Sequence, residues 1–228
     1  MHVRRHRRSS LGWALVLLAP LAVVTASSEA QAKPQKRGGQ VEGMIGAASC
    51  IPGRAPCRQD QAVFSGGTRP SFAAGAVLAF RPVKFFMLGA IYRFGMFNPV
   101  YDADDGDDYR WAAQHTIGFL MRPILPLGRV DLGVNIAPGF GRQVFRLGRG
   151  SDRDISQGFA MLVGPNVDVF ITDNFFLGAG VDFVFNTQKK VCSTRGDATD
   201  CTTRPIRDIA PTHQVLFGLR LGGTFGGG

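Results

Sequence analysis

From Val130 to Phe140 the chain sets a bulky apolar residue at every second position. Val130, Leu132, Val134, Ile136, Pro138 and Phe140 share one parity; Asp131, Gly133, Asn135, Ala137, Gly139, Gly141 and Gln143 share the other. Successive side chains of a β-strand point to opposite faces, so this period of two reads as a strand between two unlike surroundings. The pattern returns where Phe175, Leu177, Ala179, Val181, Phe183 and Phe185 oppose Gly178, Gly180, Asp182 and Asn186. Bulk on one side and small or polar residues on the other suit lipid outside and a packed lumen inside. A soluble sandwich or lipocalin-like barrel needs a polar outer face, and no such second pattern is present.

Eight segments follow this rule, at 40–50, 71–81, 84–97, 109–122, 129–145, 157–171, 174–187 and 212–225. Tight turns at 82–83, 124–128 and 172–173 alternate with longer links near 51–70, 98–108, 146–156 and 188–211. That alternation is how membrane barrels connect their strands, with short periplasmic turns and long outer loops. The expected fold is all-β, a closed eight-stranded antiparallel up-and-down transmembrane β-barrel, with both termini on the periplasmic side. Aromatic residues near strand ends (Phe72, Phe80, Phe86, Phe94, Trp111, Phe175 and Phe185) are candidates for interfacial girdles.

The N-terminus has a different composition. Residues 1–32 run from a basic segment, RRHRR, through the apolar LGWALVLLAPLAVV to Ala30-Gln31-Ala32, the order of a secretory signal peptide. Cleavage is expected after Ala32. A short segment, 33–38, then precedes a barrel domain at 39–228. Losing Arg4, Arg5, Arg7, Arg8 and Glu29 lowers the formal charge from +9 to +6. The remaining basic residues do not cluster on a helix and match no nucleic-acid motif in its expected context, so no nucleic-acid partner is expected.

As an architecture, the chain resembles the OmpA/OmpX-type family of small outer-membrane barrels. The C-terminal HQVLFGLRLGGTF supplies alternating Val215, Phe217, Leu219 and Leu221 and then Phe225, as such barrels often end. The chain departs from them by continuing through Gly226, Gly227 and Gly228. The resemblance implies residence in the outer membrane of a Gram-negative bacterium and insertion by the barrel-assembly machinery. Lipid and lipopolysaccharide are the expected partners, and the expected state is a monomer.

The cysteines agree with export. Cys50 and Cys57 fall in the first long link, Cys192 and Cys201 in the fourth. Three pairings are possible; the local one, Cys50–Cys57 and Cys192–Cys201, needs no contact between loops. Spacings of seven and nine do not match the short intervals of zinc ligands. Catalysis has little to build on. His115 and His213 are the histidines outside the leader, and Ile117 and Val215 stand where a lipid A deacylase pattern places serine two residues on. The acidic run Asp102, Asp104, Asp105, Asp107 and Asp108 does not fit EF-hand spacing. No cofactor or metal site is expected.

The polar parity of the strands supplies a charge network: Glu42, Asp131, Asp168 and Asp182 against Arg81, Arg93, Arg122 and Arg220. An eight-stranded barrel is just wide enough for side chains to fill, so these groups must meet. Arg81 and Arg122, beside periplasmic turns, are expected to reach water, and Arg93, Asp182 and Arg220 to form true pairs. Folding the 129–171 hairpin about Ser151-Asp152 sets Pro138 opposite Pro165 and Asn135 opposite Asp168. The functional expectation is a non-enzymatic barrel acting structurally or through its loops. The alternatives are a narrow pore or hydrophobic-ligand channel, and then a lipid A-modifying enzyme.

Overall fold

The computed structural model describes residues 37–51, 64–103, 109–147, 152–203 and 213–226. The leader, Cys57 and the acidic residues at 104–108 lie outside that set. The described residues form nine strands: β1 (Gly38–Cys50), β2 (Phe64–Val83), β3 (Phe86–Ala103), β4 (Tyr109–Leu127), β5 (Val130–Leu147), β6 (Arg153–Phe170), β7 (Phe175–Arg195), β8 (Ala198–Thr203) and β9 (Gln214–Phe225). β1 to β7 pair in sequence, each antiparallel to the next, and β9 lies between β7 and β1. The wall is therefore a closed ring of eight strands. Closure leaves no unpaired edge within it.

β8 is an addition to the expected eight. β7 continues to Arg195, and β8 folds back on it in register, Cys192 opposite Cys201 and Arg195 opposite Ala198. Gly196 has φ +57 at the turn, a conformation that a side chain disfavours. Other strands also outrun their predicted ends. Phe64 to Pro70 pairs with Phe97 to Ala103 although Gly66, Gly67, Pro70 and Pro99 read as loop, and the register shift falls just after Pro70. The first turn lies at Lys84-Phe85 rather than Pro82-Val83, and the second at Gly128-Arg129, with Gly128 at φ +62.

The β5–β6 hairpin corrects the expected register. Pro138 faces Met161, Pro165 faces Val134, and Asn135 faces Gly164. The partner of Pro138 lies four residues earlier than symmetry about Ser151-Asp152 requires. The displacement is even in residues, so every side chain keeps its face while its partner changes. The two missing proline donors do not share one irregularity. The β4–β5 ladder skips from Gly118 to Met121 beside Pro138, and the β6–β7 ladder skips from Val163 to Asn166 beside Pro165. The β5–β6 ladder between them is continuous. Each proline turns its donorless nitrogen away from that ladder, and neither gap shifts the register.

The outward parity is apolar between the turns and a polar row near the loop end: Leu219 is 70 % exposed, Leu78 63 % and Ile117 57 %. The inward parity is buried and holds most of the polar atoms.

Candidate functional site

The lumen is filled in layers, and the inward positions of three strands show the order. From the turn end, β4 offers Arg122, Leu120, Thr116 and Gln114; β7 offers Asp182, Val184, Asn186 and Gln188; β9 offers Arg220, Leu216 and Gln214. Charges come first, apolar side chains next and uncharged amides last.

All eight predicted network residues are buried in the charged layer. Glu42 on β1 is its hub. Its carboxylate accepts from both terminal nitrogens of Arg122 and from Nη2 of Arg220, while Gln40 donates to Oε1 at 2.6 Å. Nε of Arg122 donates to Oδ1 of Asn135 at 2.6 Å. Asn135 in turn donates to Oδ1 of Asp182 at 2.9 Å, and Nε of Arg93 donates to Oδ2 of Asp182 at 2.7 Å. On the other side, Nη1 of Arg220 lies 3.1 Å from Oδ1 of Asp168, which also receives Asn166 at 3.3 Å on Oδ2. Arg81 forms a separate pair with Asp131 at 2.6 Å and donates to the carbonyl of Lys84.

Two expectations change here. Arg81 and Arg122 do not reach water; they are 2 % and 1 % exposed and are ion-paired. The strands continue past them to Val83 and Leu127, which places both deeper than the predicted turns implied. Asn135 does not face Asp168; it bridges Arg122 and Asp182, because the altered register brings Gly164 opposite it.

Glycines make room for these long side chains. Gly75 faces Arg93, and a Cβ on it would lie 2.6 Å from Nη1 of that residue. A Cβ on Gly178 or Gly164 would meet the carboxylates of Asp168 or Asp182. Four acidic and four basic side chains thus share a buried layer, each 4 % exposed or less. Each compensates a charge that would be costly alone.

Above this layer Leu120, Leu162, Val184 and Leu216 join Ala48, Ala73 and Ala160 in one buried apolar cluster. Towards the loop end follows an amide layer that sequence reasoning did not single out. Gln143 donates to Gln114 at 2.7 Å, Gln114 exchanges hydrogen bonds with Asn186 at 3.0 and 3.1 Å, and Ser156 donates to Gln188. Its signal was the same inward parity, without charge to draw attention to it.

The remaining predicted residues lie at the loop end, away from the charged layer, with Cys50 buried on the inward parity of β1. Cys192 and Cys201 form a disulfide across the β7–β8 hairpin. Cys50 is disulfide-bonded; its predicted partner Cys57 is outside the described residues. His115 is exposed on β4, with Nδ1 2.8 Å from the Tyr92 hydroxyl. His213, just before β9, is half-buried, and its Nδ1 accepts from the backbone of Asn186 at 3.1 Å.

No protein-family model and no curated protein matches the sequence. Solved structures match the fold. Neisserial surface protein A aligns over 82 % of this chain and 97 % of its own, with TM-score 0.53 and 12 % identity. The outer membrane protein OprG from Pseudomonas aeruginosa aligns over 83 % and 97 %, with TM-score 0.54 and 11 % identity. The outer membrane protein AlkL aligns over 87 % and 95 %, with TM-score 0.50 and 12 % identity. The chain has the fold of the small outer-membrane β-barrels.

Proposed function

We propose that this chain is a non-enzymatic integral protein of a Gram-negative outer membrane, closed to ion flow, that acts through its loop end. The observation carrying this reading is the lumen: a compensated charge network beneath an apolar layer beneath an amide layer, each spanning several strands. A dry layer with no charge in it is a barrier to ions even where a neighbouring layer is polar. The apolar outer wall supports the membrane location, since so wide an exposed apolar surface is rare on soluble proteins. Export by a signal peptide cleaved after Ala32 and insertion by the barrel-assembly machinery complete the proposal. The termini and short turns then face the periplasm, and the β7–β8 hairpin faces outward.

Two experiments test it. The mature chain should fractionate with outer membranes and migrate differently on gels before and after boiling; release by salt, or no heat-induced shift, refutes the barrel. In a planar bilayer it should give no large, stable conductance. Steady open channels from the wild type establish a pore instead.

A further inference from the structure

The strand register aligns one outward row across the wall at the loop end. Phe94 on β3 faces His115 on β4, His115 faces Arg142 on β5, Arg142 faces Gln157 on β6, and Gln157 faces Lys190 on β7. His115, Arg142 and Lys190 are exposed and Gln157 is half-buried. One outward position closer to the turns, on β3 to β6, are Tyr92, Ile117, Phe140 and Phe159, all exposed. The row therefore marks the upper limit of the apolar wall.

Its height agrees with that limit. On β5 the outward face is apolar from Val130 to Phe140. At about 3.4 Å per residue and a tilt of about 40°, that stretch rises roughly 26 Å, against an apolar band of about 25 Å. Arg142 is the next outward residue.

Among the described residues the ion pair at this end joins Arg195 to Asp154, at 2.9 Å. Asp152 accepts from the backbone of Gly196. Arg142, Lys189 and Lys190 have no ion pair among the described residues. Above the row, Arg146 and Arg153 stand directly opposite each other, an arrangement that costs stability unless an anion lies between or beside them.

We propose that the loop-end wall of β4 to β7 binds a phosphorylated lipid headgroup of the outer leaflet, with Arg142 and Lys190 converging on a phosphate over Gln157. Strands are about 4.8 Å apart, so two long basic side chains separated by one strand reach a common oxygen cluster. Charge-assisted hydrogen bonds from Arg and Lys suit phosphate oxygens. The acyl chains lie on Ile117, Phe140 and Phe159. The position joins an anionic head to apolar tails, which a free anion does not require. The assignment rests on the outer-membrane reading above.

The test uses the full mature chain refolded in detergent and followed by native mass spectrometry, with the heat-induced gel shift recorded for every sample. The probes are bisphosphorylated lipid A, the same lipid stripped of phosphate, and inorganic phosphate. The wild type should retain bisphosphorylated lipid A in preference to the stripped lipid. R142Q/K190Q should bind it about tenfold more weakly, and K84Q, a cation at the opposite end, should bind as wild type. Equal retention of the stripped lipid, unchanged binding by R142Q/K190Q, or equal weakening by K84Q overturns the site. Inorganic phosphate that displaces the lipid at comparable concentration overturns the lipid as occupant. A wild type without the gel shift overturns the barrel itself, a result distinguishable from loss of binding by a folded barrel.

Discussion

Arg220 offers a sharp test of how the lumen is held. It joins Glu42 on β1 and Asp168 on β6 from its place on β9. In R220A, Glu42 keeps both bonds from Arg122, so the new uncompensated charge is that of Asp168, left with Asn166 as hydrogen-bond donor at 3.3 Å. Breaking one side of a buried pair costs roughly 3–5 kcal/mol. Because only one of the two carboxylates is stranded, a loss of about 3 kcal/mol is expected, roughly a hundredfold in the folding equilibrium. A chain produced from Lys33 onward suits the measurement: of the two tryptophans, Trp13 and Trp111, it keeps Trp111 as the single reporter. Urea unfolding of the vesicle-inserted protein, followed by Trp111 fluorescence and checked by gel shift, should show the midpoint fall. Adding D168N removes the stranded charge and should restore about 1–2 kcal/mol, the size of coupling usual between contacting groups. A loss below about 1 kcal/mol in R220A, or no recovery in the double variant, refutes the compensation argument.

Other expectations follow from the inside–outside assignment and the cysteines. Val134→Arg or Val181→Arg, on the outward face, should destabilise the inserted barrel by roughly 2–4 kcal/mol near the midplane. Thr199→Arg on exposed β8 should be nearly neutral, and equal tolerance at both kinds of site refutes the assignment. Non-reducing peptide mapping should recover Cys192 joined to Cys201. Reduction should leave the gel shift intact, because the disulfide bridges a hairpin beyond the closed ring.

Faces were legible in the sequence and partners were not. Period-two alternation assigns Asp182 inward and Phe183 outward under any even choice of register, so the lumen residues emerged from parity alone. Pairing in the β5–β6 hairpin needed the turn position, and composition between Leu147 and Arg153 offers several turns of equal merit. Had Pro138 and Pro165 each been required to face a ladder gap on its own outer side, they would have constrained the register further. β8 had a signal as well. Gly196-Asp197 is a two-residue hairpin pair, and Cys192 and Cys201 are symmetric about it. The extensions of β2 and β3 had none, since their glycines and prolines are loop residues by composition. What orders them is each other.

Glu42 carries a consequence for the timing of assembly. Its partners lie on the fourth strand and on the last, and Arg220 is 178 residues away along the chain. Until β9 docks against β1, Glu42 lacks its Arg220 partner and the ring is open. Docking the final strand therefore does more than complete a ladder: it joins Glu42 to Asp168 through Arg220 in the same step. Closing the wall and completing its central ion pairs are thus one event, made by the C-terminal strand.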